Sequence, residues 1–382
     1  MAIKSSVRRQ WDDKVYEIRI WRSGAYVGNL GRLVRDLTWT VNRNPAVGYN
    51  ELSFKVDQLA FSNWCKSHGV AVETIIKPIF TDCQIWVKDN PTATNVCVAQ
   101  GYLDAYPSIE QNTDAYDYKF TFHDQFMKLQ YGSRIPNNTN YYQWYADDLV
   151  MDLILQMQNR QNGASFGFTR GNTQRLPKID RTYTDWKPVS EAIADMLDNE
   201  TGAGQFDVWI DHEYKVNIAK PRGDDTGYVF HYPFNPALNE IPMASMPTYE
   251  DVPDLATSYL AVGSGQGDAA ISAVRSNSDA INEYGYILQY GQFSSVTNQN
   301  TLNQKAQAEL DKALYPDPAP TIAVNGVFVN WETLHVGDRV RYINDVAVSY
   351  GASGTVRIKT IKVNCDANFN ESITLETETW NG

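Results

Sequence analysis

Hydrophobic and polar residues alternate through much of the first 130 residues of the chain. In several short segments every second position is large and apolar, which is typical of strands with one buried face. Glu51–Asp57 is an example, because Leu52, Phe54 and Val56 alternate there with charged or hydroxyl side chains. The same period predicts strands around Tyr16–Ile20, Leu37–Val41, Ile85–Val87, Val96–Leu103 and Tyr118–Phe122.

A helix and two turns interrupt these predicted strands. The helix is predicted around Leu59–His68. Asn44–Gly48 and Asp89–Pro91 carry the Asn, Asp, Pro and Gly residues that favour turns. Short strands with regularly spaced turns predict an antiparallel β unit, either a barrel or a sandwich, over residues 1–130.

Residues 131–250 have a different pattern, in which apolar positions recur with a helical period. One helix is predicted over Tyr141–Asn159, and a second begins near Pro188, a favourable first-turn residue. A β-hairpin is predicted over Phe206–Ile218, with its turn at His212. The apolar stripe of the first helix consists of Tyr142, Tyr145, Leu149, Leu153, Ile154 and Met157, and its early carboxylates, interpreted as solvated or as favouring the early turns, are Asp147, Asp148 and Asp152.

The proline-rich stretch Pro233–Pro253 is irregular and is interpreted as a linker. Beyond it the strand pattern returns with Tyr259–Val262, the glycine-rich segment Gly263–Gly267 and a strand pair predicted through Glu283–Gly291. Further strands are predicted at Val336–Val340, Val356–Ile358 and Ile373–Leu375.

One helix is predicted inside this last β segment, over Thr301–Leu314. Thr301 and Gln304 have the spacing of a capping box, and the following Pro316–Pro320 segment cannot extend a helix. The predicted fold class is therefore α+β and mostly β. The domains are expected to be a first β-barrel over 1–130, an α/β insert over 131–250, and a second β-barrel with its helix over 251–382.

The charge distribution argues against a nucleic-acid-binding surface. The net charge is −12, with 15 Lys/Arg and 14 Asp/Glu in residues 1–130 but 18 and 31 in residues 131–382. The basic footprint of a tight nucleic-acid binder is missing. An acidic surface would let DNA pass without binding, and ordinary acidic solubility is the alternative interpretation. The many aromatic residues, including 23 Tyr and 10 Trp, suit strand-rich sheets and extended contact surfaces.

The cysteines and the amino-terminal segment indicate folding in a reducing compartment. Cys65, Cys83, Cys97 and Cys365 have no metal-ligand spacing, and we expect them to be reduced and buried. The segment after Met1 lacks an apolar core, and no run of 18 apolar residues occurs. We therefore expect no signal peptide and no membrane span, and synthesis and folding in a cytoplasm.

No motif predicts a catalytic, cofactor or metal site. Gly263–Gly267 lacks the lysine of a phosphate-binding loop, so it is interpreted as a turn. Arg222–Asp224 matches an adhesion tripeptide, but Gly-Asp also simply makes turns. The paired acids, interpreted as surface or capping residues, are Asp12–Asp13, Asp147–Asp148 and Asp224–Asp225. The histidines, which form no compact ligand pair, are His68, His123, His212, His231 and His335.

Three segments together resemble the tail hub proteins of tailed bacteriophages, including baseplate hubs, minor tail proteins and the amino-terminal part of tail-associated lysins. The first is Arg43–Phe54 with the opening strands, and the second is Pro188–Leu197 leading into the Phe206–Ile218 hairpin. The third combines Leu260–Gly267, the Leu302–Leu314 helix and Val336–Val340. They cover most of the chain as a loose pattern.

The resemblance implies a structural protein of the virion tail tip, assembled in the host cytoplasm. Two tube-like β-barrels per chain, joined by an α/β insert, would form a homotrimer that adapts the sixfold tail tube to a threefold tip. The implied partners are a distal tail or tail tube protein, the tape-measure protein and tip or receptor-binding proteins. DNA would pass through an acidic channel without specific binding. The chain ends at Trp380–Gly382, after a predicted strand, so the peptidase or lysozyme domain of some relatives is not expected.

Two other functions remain open at this point. A receptor- or carbohydrate-binding tail-tip protein would use exposed aromatic side chains such as Trp144 or Trp186 for sugar stacking. A cell-wall glycosidase would need two carboxylates that face each other across a cleft. Glycan binding by the isolated protein would favour the first function, and turnover of peptidoglycan that one carboxylate substitution abolishes would favour the second.

Overall fold

The computed structural model describes residues 14–46, 50–90, 92–112, 115–131, 134–159, 166–183, 186–197, 206–233, 240–249, 255–265, 267–294, 296–314, 319–346, 353–366 and 368–379. Some predicted features lie wholly or partly outside these ranges. They are the Met1 segment, Asp12–Asp13, the turn Asn44–Gly48, Pro91, Gln266 of the glycine-rich segment, parts of the Pro233–Pro253 linker, Pro316–Pro318 and Trp380–Gly382.

The first β unit, as defined here, covers residues 15–123. Its strands are β1 (Val15–Arg22), β2 (Ala25–Asn29), β3 (Val34–Asn42), β4 (Glu51–Asp57), β5 (Thr81–Lys88), β6 (Val96–Leu103), β7 (Ser108–Asn112) and β8 (Ala115–His123). The predicted alternation is confirmed, because the apolar members of β1, β3 and β4 form the core while their polar neighbours do not.

Helix α1 (Gln58–Ser67) covers one side of this core, and the short helix α2 (Val72–Ile75) follows it. Asp57 caps α1, because its carboxylate accepts a hydrogen bond from the amide of Ala60 at 2.8 Å. Phe61 and Trp64 are buried on its inner face, where Phe61 contacts the ring of Phe120. The helix predicted from Leu59 to His68 is therefore confirmed.

The middle unit covers residues 125–219 and has its own core. Its elements are β9 (Thr139–Tyr145), α3 (Ala146–Asn159), β10 (Thr169–Thr173), β11 (Lys178–Tyr183), α4 (Val189–Leu197), β12 (Asp207–Ile210) and β13 (Lys215–Ala219). The predicted hairpin is confirmed, and its strands pair with Val208 opposite Ile218 and Ile210 opposite Val216.

The second β unit covers residues 225–249 and 320–379, and a small sheet unit is inserted into it over residues 258–313. The strands of the second β unit are β14 (Asp225–Tyr232), β15 (Ile241–Pro242), β16 (Thr248–Tyr249), β20 (Pro320–Asn325), β21 (Arg339–Asn344), β22 (Ser353–Cys365) and β23 (Glu371–Thr379). The small sheet unit contains β17 (Ser258–Val262), β18 (Ser272–Ser276), α5 (Ser278–Tyr284), β19 (Leu288–Gln292) and α6 (Gln299–Ala313).

One large sheet joins the two β units. Its order is β15-β14-β21-β22-β3-β4-β8-β6-β5-β1-β2, with β7, β16, β20 and β23 as further members. The connection between the units is antiparallel pairing of β22 with β3, in which Val363 lies opposite Trp39. One hydrophobic core accordingly draws on both β units. The prediction of a mostly β fold is confirmed, and this large sheet is open in the described residues of the single chain.

Two predicted helix starts were wrong, one because of strand pairing and the other because a different residue caps the helix. Residues 141–145 belong to strand β9, which pairs with β11, and α3 begins only at Ala146. Tyr142 and Tyr145 are consequently exposed and do not extend the apolar stripe. Helix α6 begins at Gln299 because Asn298 caps it, accepting from the amide of Asn300 at 2.8 Å, so Thr301 is not the capping residue.

The strand predictions of the last third needed two corrections. Glu283 and Tyr284 end helix α5, which Asn277 caps, and only β19 remains of the predicted strand pair. The strand predicted from Val336 begins at Arg339. Gly337 precedes it with φ +92°, a left-handed conformation that belongs to a turn and not to a strand.

Candidate functional site: the polar face of the joined sheet

Six neighbouring strands, β20-β23-β22-β3-β4-β8, present one polar face that crosses from the second β unit into the first. Alternate residues on these strands point into the shared core; they include Val324, Ile373, Val363, Trp39, Leu52 and Phe122. Most of the residues between them are half-buried or exposed on the opposite side of the sheet, where Thr360 and Asp117 are buried. This opposite side is called the polar face below.

An uncharged row runs across the whole polar face. Cross-strand register places its members opposite one another in the order Asn325, Ser372, Asn364, Thr38, Ser53 and Thr121. The hydroxyls of Thr38 and Ser53 are hydrogen-bonded at 2.8 Å. This set is called the hydroxyl–amide row, and it can exchange hydrogen bonds with a passing polar surface without binding charge.

Charges of both signs flank the hydroxyl–amide row. Lys362 pairs with Glu376 across β22 and β23. Lys55 lies 3.0 Å from both Asp36 and Glu110, and these hydrogen bonds raise the pKa of Lys55 and lower the pKa of Glu110. The polar face is therefore mixed in charge, and these ion pairs are exposed and weak.

Asp207 of β12 fixes the middle unit to both β units. Its carboxylate, 1% exposed, is bound by Arg43 of the first β unit and by Arg357 of the second, and it also accepts from the amide of Arg222 at 3.0 Å. Glu378 adds a second carboxylate, 2.7 Å from Nε of Arg43. This cluster is called the three-unit junction, and it lies beside the pairing of β3 with β22.

The adhesion-like tripeptide Arg222–Asp224 belongs to this junction. The Arg222 guanidinium lies 4.3 Å from the ring centroid of Trp209 and donates to the carbonyl of Arg43 at 3.0 Å. Gly223 has φ +93°, and a Cβ there would lie 2.1 Å from the carbonyl carbon of Gly337. Two backbone segments therefore meet at Gly223 without room for a side chain, and the packing of the junction requires glycine there.

A second buried ionic cluster ties β1 to the second β unit. The Lys14 ammonium lies 2.6 Å from Glu371 and 3.6 Å from Asp89. Glu371 also accepts from the indole of Trp331 at 2.8 Å and from the hydroxyl of Tyr16. Burial, followed by the neighbouring Glu371 charge, raises the pKa of Tyr16. The cluster therefore joins two units through a buried lysine shared between two carboxylates.

A third cluster ties the first β unit to the middle unit. Asp82 of β5 accepts from Lys128 at 2.8 Å, from Gln125 at 3.0 Å and from the hydroxyl of Tyr214 at 2.9 Å. Burial lowers the pKa of Lys128, whose ammonium also faces the ring of Tyr102 at 5.3 Å. The cluster therefore holds a buried charge by pairing it, as folded proteins require.

The predicted carboxylate pairs do not form a catalytic arrangement in the described residues. Asp147, interpreted above as solvated, is buried: it accepts from the amide of Leu176 at 3.1 Å and pairs with Arg175 at 3.2 Å. Asp148 pairs with Arg170 at 2.7 Å, whereas Asp224 donates its amide to Asp338 at 2.9 Å. No group of three His, Cys, Asp or Glu side chains that could hold a metal ion lies within the described ranges.

A cleft of about 190 Å³ lies between the first β unit and the β12–β13 hairpin. Two side-chain amides hold the hairpin against the first β unit here. Gln84 donates to the carbonyl of His212 at 3.0 Å, and Gln100 donates to the carbonyl of Ile210 at 2.7 Å. His212 lies at the hairpin turn as predicted, with its ring against Trp86. The volume is below the roughly 300–1,000 Å³ of typical ligand pockets, so the cleft is best explained as a packing seam.

The remaining predicted positions are at the surface or in the core. Trp144 and Trp186 of the middle unit are 40% and 60% exposed, as sugar stacking would require. Cys65, Cys83 and Cys365 are buried, Cys97 is half-buried, and all four are free thiols. Among the described residues, no helix is long and apolar enough to cross a membrane.

Comparison with solved structures identifies the fold. The chain is similar to a 43 kDa tail protein of prophage MuSo2 from Shewanella oneidensis, with a TM-score of 0.63, 11% identity and coverage of 95% of this chain and 98% of the other. It is similar to a tail protein from Neisseria meningitidis MC58, with a TM-score of 0.61, 11% identity and coverage of 95% and 97%. Prophage tail protein gp18 from Listeria monocytogenes EGD-e gives a TM-score of 0.52, 15% identity and coverage of 96% and 95%.

At these identities the likeness establishes the fold, which is that of phage and prophage tail proteins, as the sequence resemblance indicated. No protein-family model matches the chain. A search of curated proteins also finds no match.

Proposed function

We propose that the chain is a structural tail protein that acts as the hub at the distal end of a phage tail. Three copies form a ring in which each chain contributes two tube-like β-barrels, one from each β unit. The ring adapts the sixfold tail tube to a threefold tip, and the polar face lines its channel. The proposal assigns the chain no catalytic step, cofactor or metal.

The pairing of β22 with β3 is the observation that carries the proposal. It joins the edge of one β unit to the edge of the next through five residue pairs, from Thr360 opposite Asn42 to Asn364 opposite Thr38. A ring of β units needs such an edge-to-edge contact at every junction. One chain therefore already contains the kind of contact that a homotrimer would repeat between its copies.

The second β unit contains contacts that support its description as a barrel. Strand β15 pairs with β14, and the next residue, Met243, bridges Val324 of β20. Ala244 donates its amide to the carbonyl of Ala323 at 2.7 Å. Residues 241–244 thus lie between β14 and β20, at the position where a closed barrel needs a connecting strand.

The composition of the polar face supports a channel wall that does not retain its cargo. The hydroxyl–amide row carries no charge, and the flanking lysines are paired with carboxylates. This favours a charge-balanced wall over the acidic wall expected from the net charge. DNA and the tape-measure protein would slide past it, because neither meets a surface of strong opposite charge.

The remaining parts of the proposal concern partners and domain boundaries. A distal tail or tail tube protein would bind one end of the ring, and tip or receptor-binding proteins would bind the other. The division into residues 1–130, 131–250 and 251–382 stays a proposal for the two barrels and the insert. Strand β14 pairs with β21, however, so residues 225–249 are grouped here with the second barrel. Assembly would take place in the host cytoplasm before incorporation into the virion.

Native mass spectrometry tests the assembly directly. We expect a species with three times the mass of the chain, in equilibrium with monomer on dilution. A protein that stays monomeric at all concentrations, even with purified distal tail protein added, would contradict the trimer.

Cysteine labelling tests which surface lines the channel. Ser372→Cys places an exposed thiol in the hydroxyl–amide row of the polar face, and Ser62→Cys places one on the exposed side of α1. In the assembled ring, a bulky polyethylene glycol maleimide should label the Ser62 variant and spare the Ser372 variant, whereas the diluted monomer should be labelled at both. Equal labelling of both variants in the trimer would mean that the polar face does not line a narrow channel.

A second candidate function is receptor or carbohydrate binding at the tail tip. The exposure of Trp144 and Trp186 favours it, because an exposed indole can stack on a sugar ring. Trp186→Ala should then abolish binding to host glycans. If the native protein shows no detectable glycan binding, this second function is rejected and the hub function stands without it.

A further inference from the structure

His231 lies between two carboxylates at one end of the second β unit. It is on β14, and its side chain is 4% exposed. Its Nδ1 lies 2.5 Å from Oε2 of Glu240, and its Nε2 lies 2.7 Å from Oδ2 of Asp345. Among the described residues, these are the charged groups that the structure places against the ring, one before β15 and one after β21.

This geometry requires a protonated imidazole. An ionised carboxylate only accepts hydrogen bonds, so a nitrogen that bonds to one must carry a proton. Both ring nitrogens of His231 bond to carboxylates, so both carry a proton and the ring is an imidazolium between two anions. Burial of the ring opposes its charge, but the hydrogen bonds to Asp345 and Glu240 outweigh burial, and the pKa of His231 is raised above its ordinary value.

The same histidine adjoins a weakly built seam of the sheet. Glu240 directly precedes β15, which pairs with β14 through only two residue pairs. Met243 donates its amide to the carbonyl of His231 at 3.0 Å and then bridges Val324 of β20. With so few backbone contacts, the 241–244 segment depends on nearby side-chain interactions to stay in the sheet.

We propose that His231 is a proton-dependent latch, which in its protonated form ties Glu240 and the adjoining 241–244 seam to Asp345 at the end of β21. Loss of the proton removes the positive charge from both contacts, leaves one ring nitrogen without a proton to donate, and so loosens the seam. This inference does not depend on the proposed tail function, because every group in it belongs to one chain.

The direction of the pH effect follows from linkage. A group whose pKa is higher in the folded than in the unfolded protein stabilises the fold most fully below the unfolded value, about 6.5 for histidine. That stabilisation is lost as the pH rises through the raised folded pKa. The latch should therefore hold in mildly acidic solution and weaken in alkaline solution.

Urea unfolding between pH 5.5 and 9, at fixed protein concentration, measures this loss. In the native chain, the unfolding equilibrium constant should rise by up to about tenfold per pH unit through the titration of one proton, relative to His231→Gln. His335→Gln is the matched control, because His335 is exposed and lies 3.7 Å from Asp338. Native and His231→Gln proteins with the same pH dependence would overturn the proposal.

Two local measurements keep the proposal testable if His231→Gln folds poorly. Asp345→Asn preserves the ring, and because Asp345 is 62% exposed its loss should leave the fold intact. NMR titration should show the His231 pKa above about 6.5, and lower in Asp345→Asn. Hydrogen exchange of the amides of Ile241, Met243 and Ala244, compared at equal pH, should be faster in that variant. A His231 pKa at or below about 6.5 in the native chain would refute the latch.

Discussion

Asp207→Asn is the most direct test of how the three units are held together. The substitution keeps the size of the side chain and removes the charge that Arg43 and Arg357 share. Arg357 is almost completely buried and would keep hydrogen bonds to the carbonyls of Gly337 at 3.1 Å and Arg222 at 2.7 Å. Its charge would then lie beside the Glu378 carboxylate, 3.4 Å away.

The expected loss can be estimated from the burial of these charges. Removing one partner of a buried ion pair typically costs about 3–5 kcal/mol, because the other charge is left uncompensated. Glu378 is partly exposed and still pairs with Arg43, which places the expected loss near the lower end of that range, about 3 kcal/mol. The amide of asparagine can also donate toward the arginines, which weakens the remaining contacts further.

Urea unfolding at pH 7, followed by circular dichroism, measures the change in the free energy of unfolding. Protein concentration must be held constant, because an assembly would shift the midpoint. Glu213→Gln is the control in the same hairpin: its pair with Lys215 is exposed and should contribute less than about 1 kcal/mol. An Asp207→Asn protein as stable as this control would refute the argument that the junction holds the units together.

Two further predictions concern packing. Gly223→Ala should lower the free energy of unfolding by roughly 3 kcal/mol or more, because it adds a clash with Gly337 to the strain of a positive φ. Gly227→Ala is the control: Gly227 has φ +70° and open space around it, so the loss there should be about 1–2 kcal/mol. Thermal and urea denaturation would check this, and equal losses would contradict the close approach. Leu310→Ala leaves a cavity at a fully buried position of α6 and should lower the free energy of unfolding by about 3 kcal/mol. Leu155→Ala, at an exposed position, should lower it by less than about 1 kcal/mol. Similar losses for the two variants in urea unfolding would mean that α6 contributes little to stability.

Local sequence patterns predicted those elements whose structure is decided by near neighbours. The alternation in Glu51–Asp57 and the apolar spacing of Val189–Leu197 were sufficient to predict β4 and α4, because one face of each is buried. The β12–β13 hairpin was predicted for the same reason. Tyr142 and Tyr145 misled because their spacing fits a helix, while pairing with β11 holds them in a strand.

The candidate site depended on contacts that no local pattern contains. Asp207 meets Arg43 and Arg357 across sequence separations of 164 and 150 residues, so its role emerges only from the folded chain. A signal was present, because a carboxylate between Phe206 and Val208 is unusual in an apolar strand and calls for a partner. His231 gave a similar signal, since it follows the buried Phe230, but its two carboxylates are contributed by other segments.

The pairing of β3 with β22 has a consequence for the kinetics of ring formation. In a ring of such chains, every second joint would close inside one polypeptide during folding, at an effective concentration fixed by the chain itself. Only the alternate joints would then obey mass action. A substitution that weakens the pairing of β3 with β22 should therefore slow folding at any protein concentration. A substitution at the strand edges that pair between chains should slow ring formation only at low protein concentration.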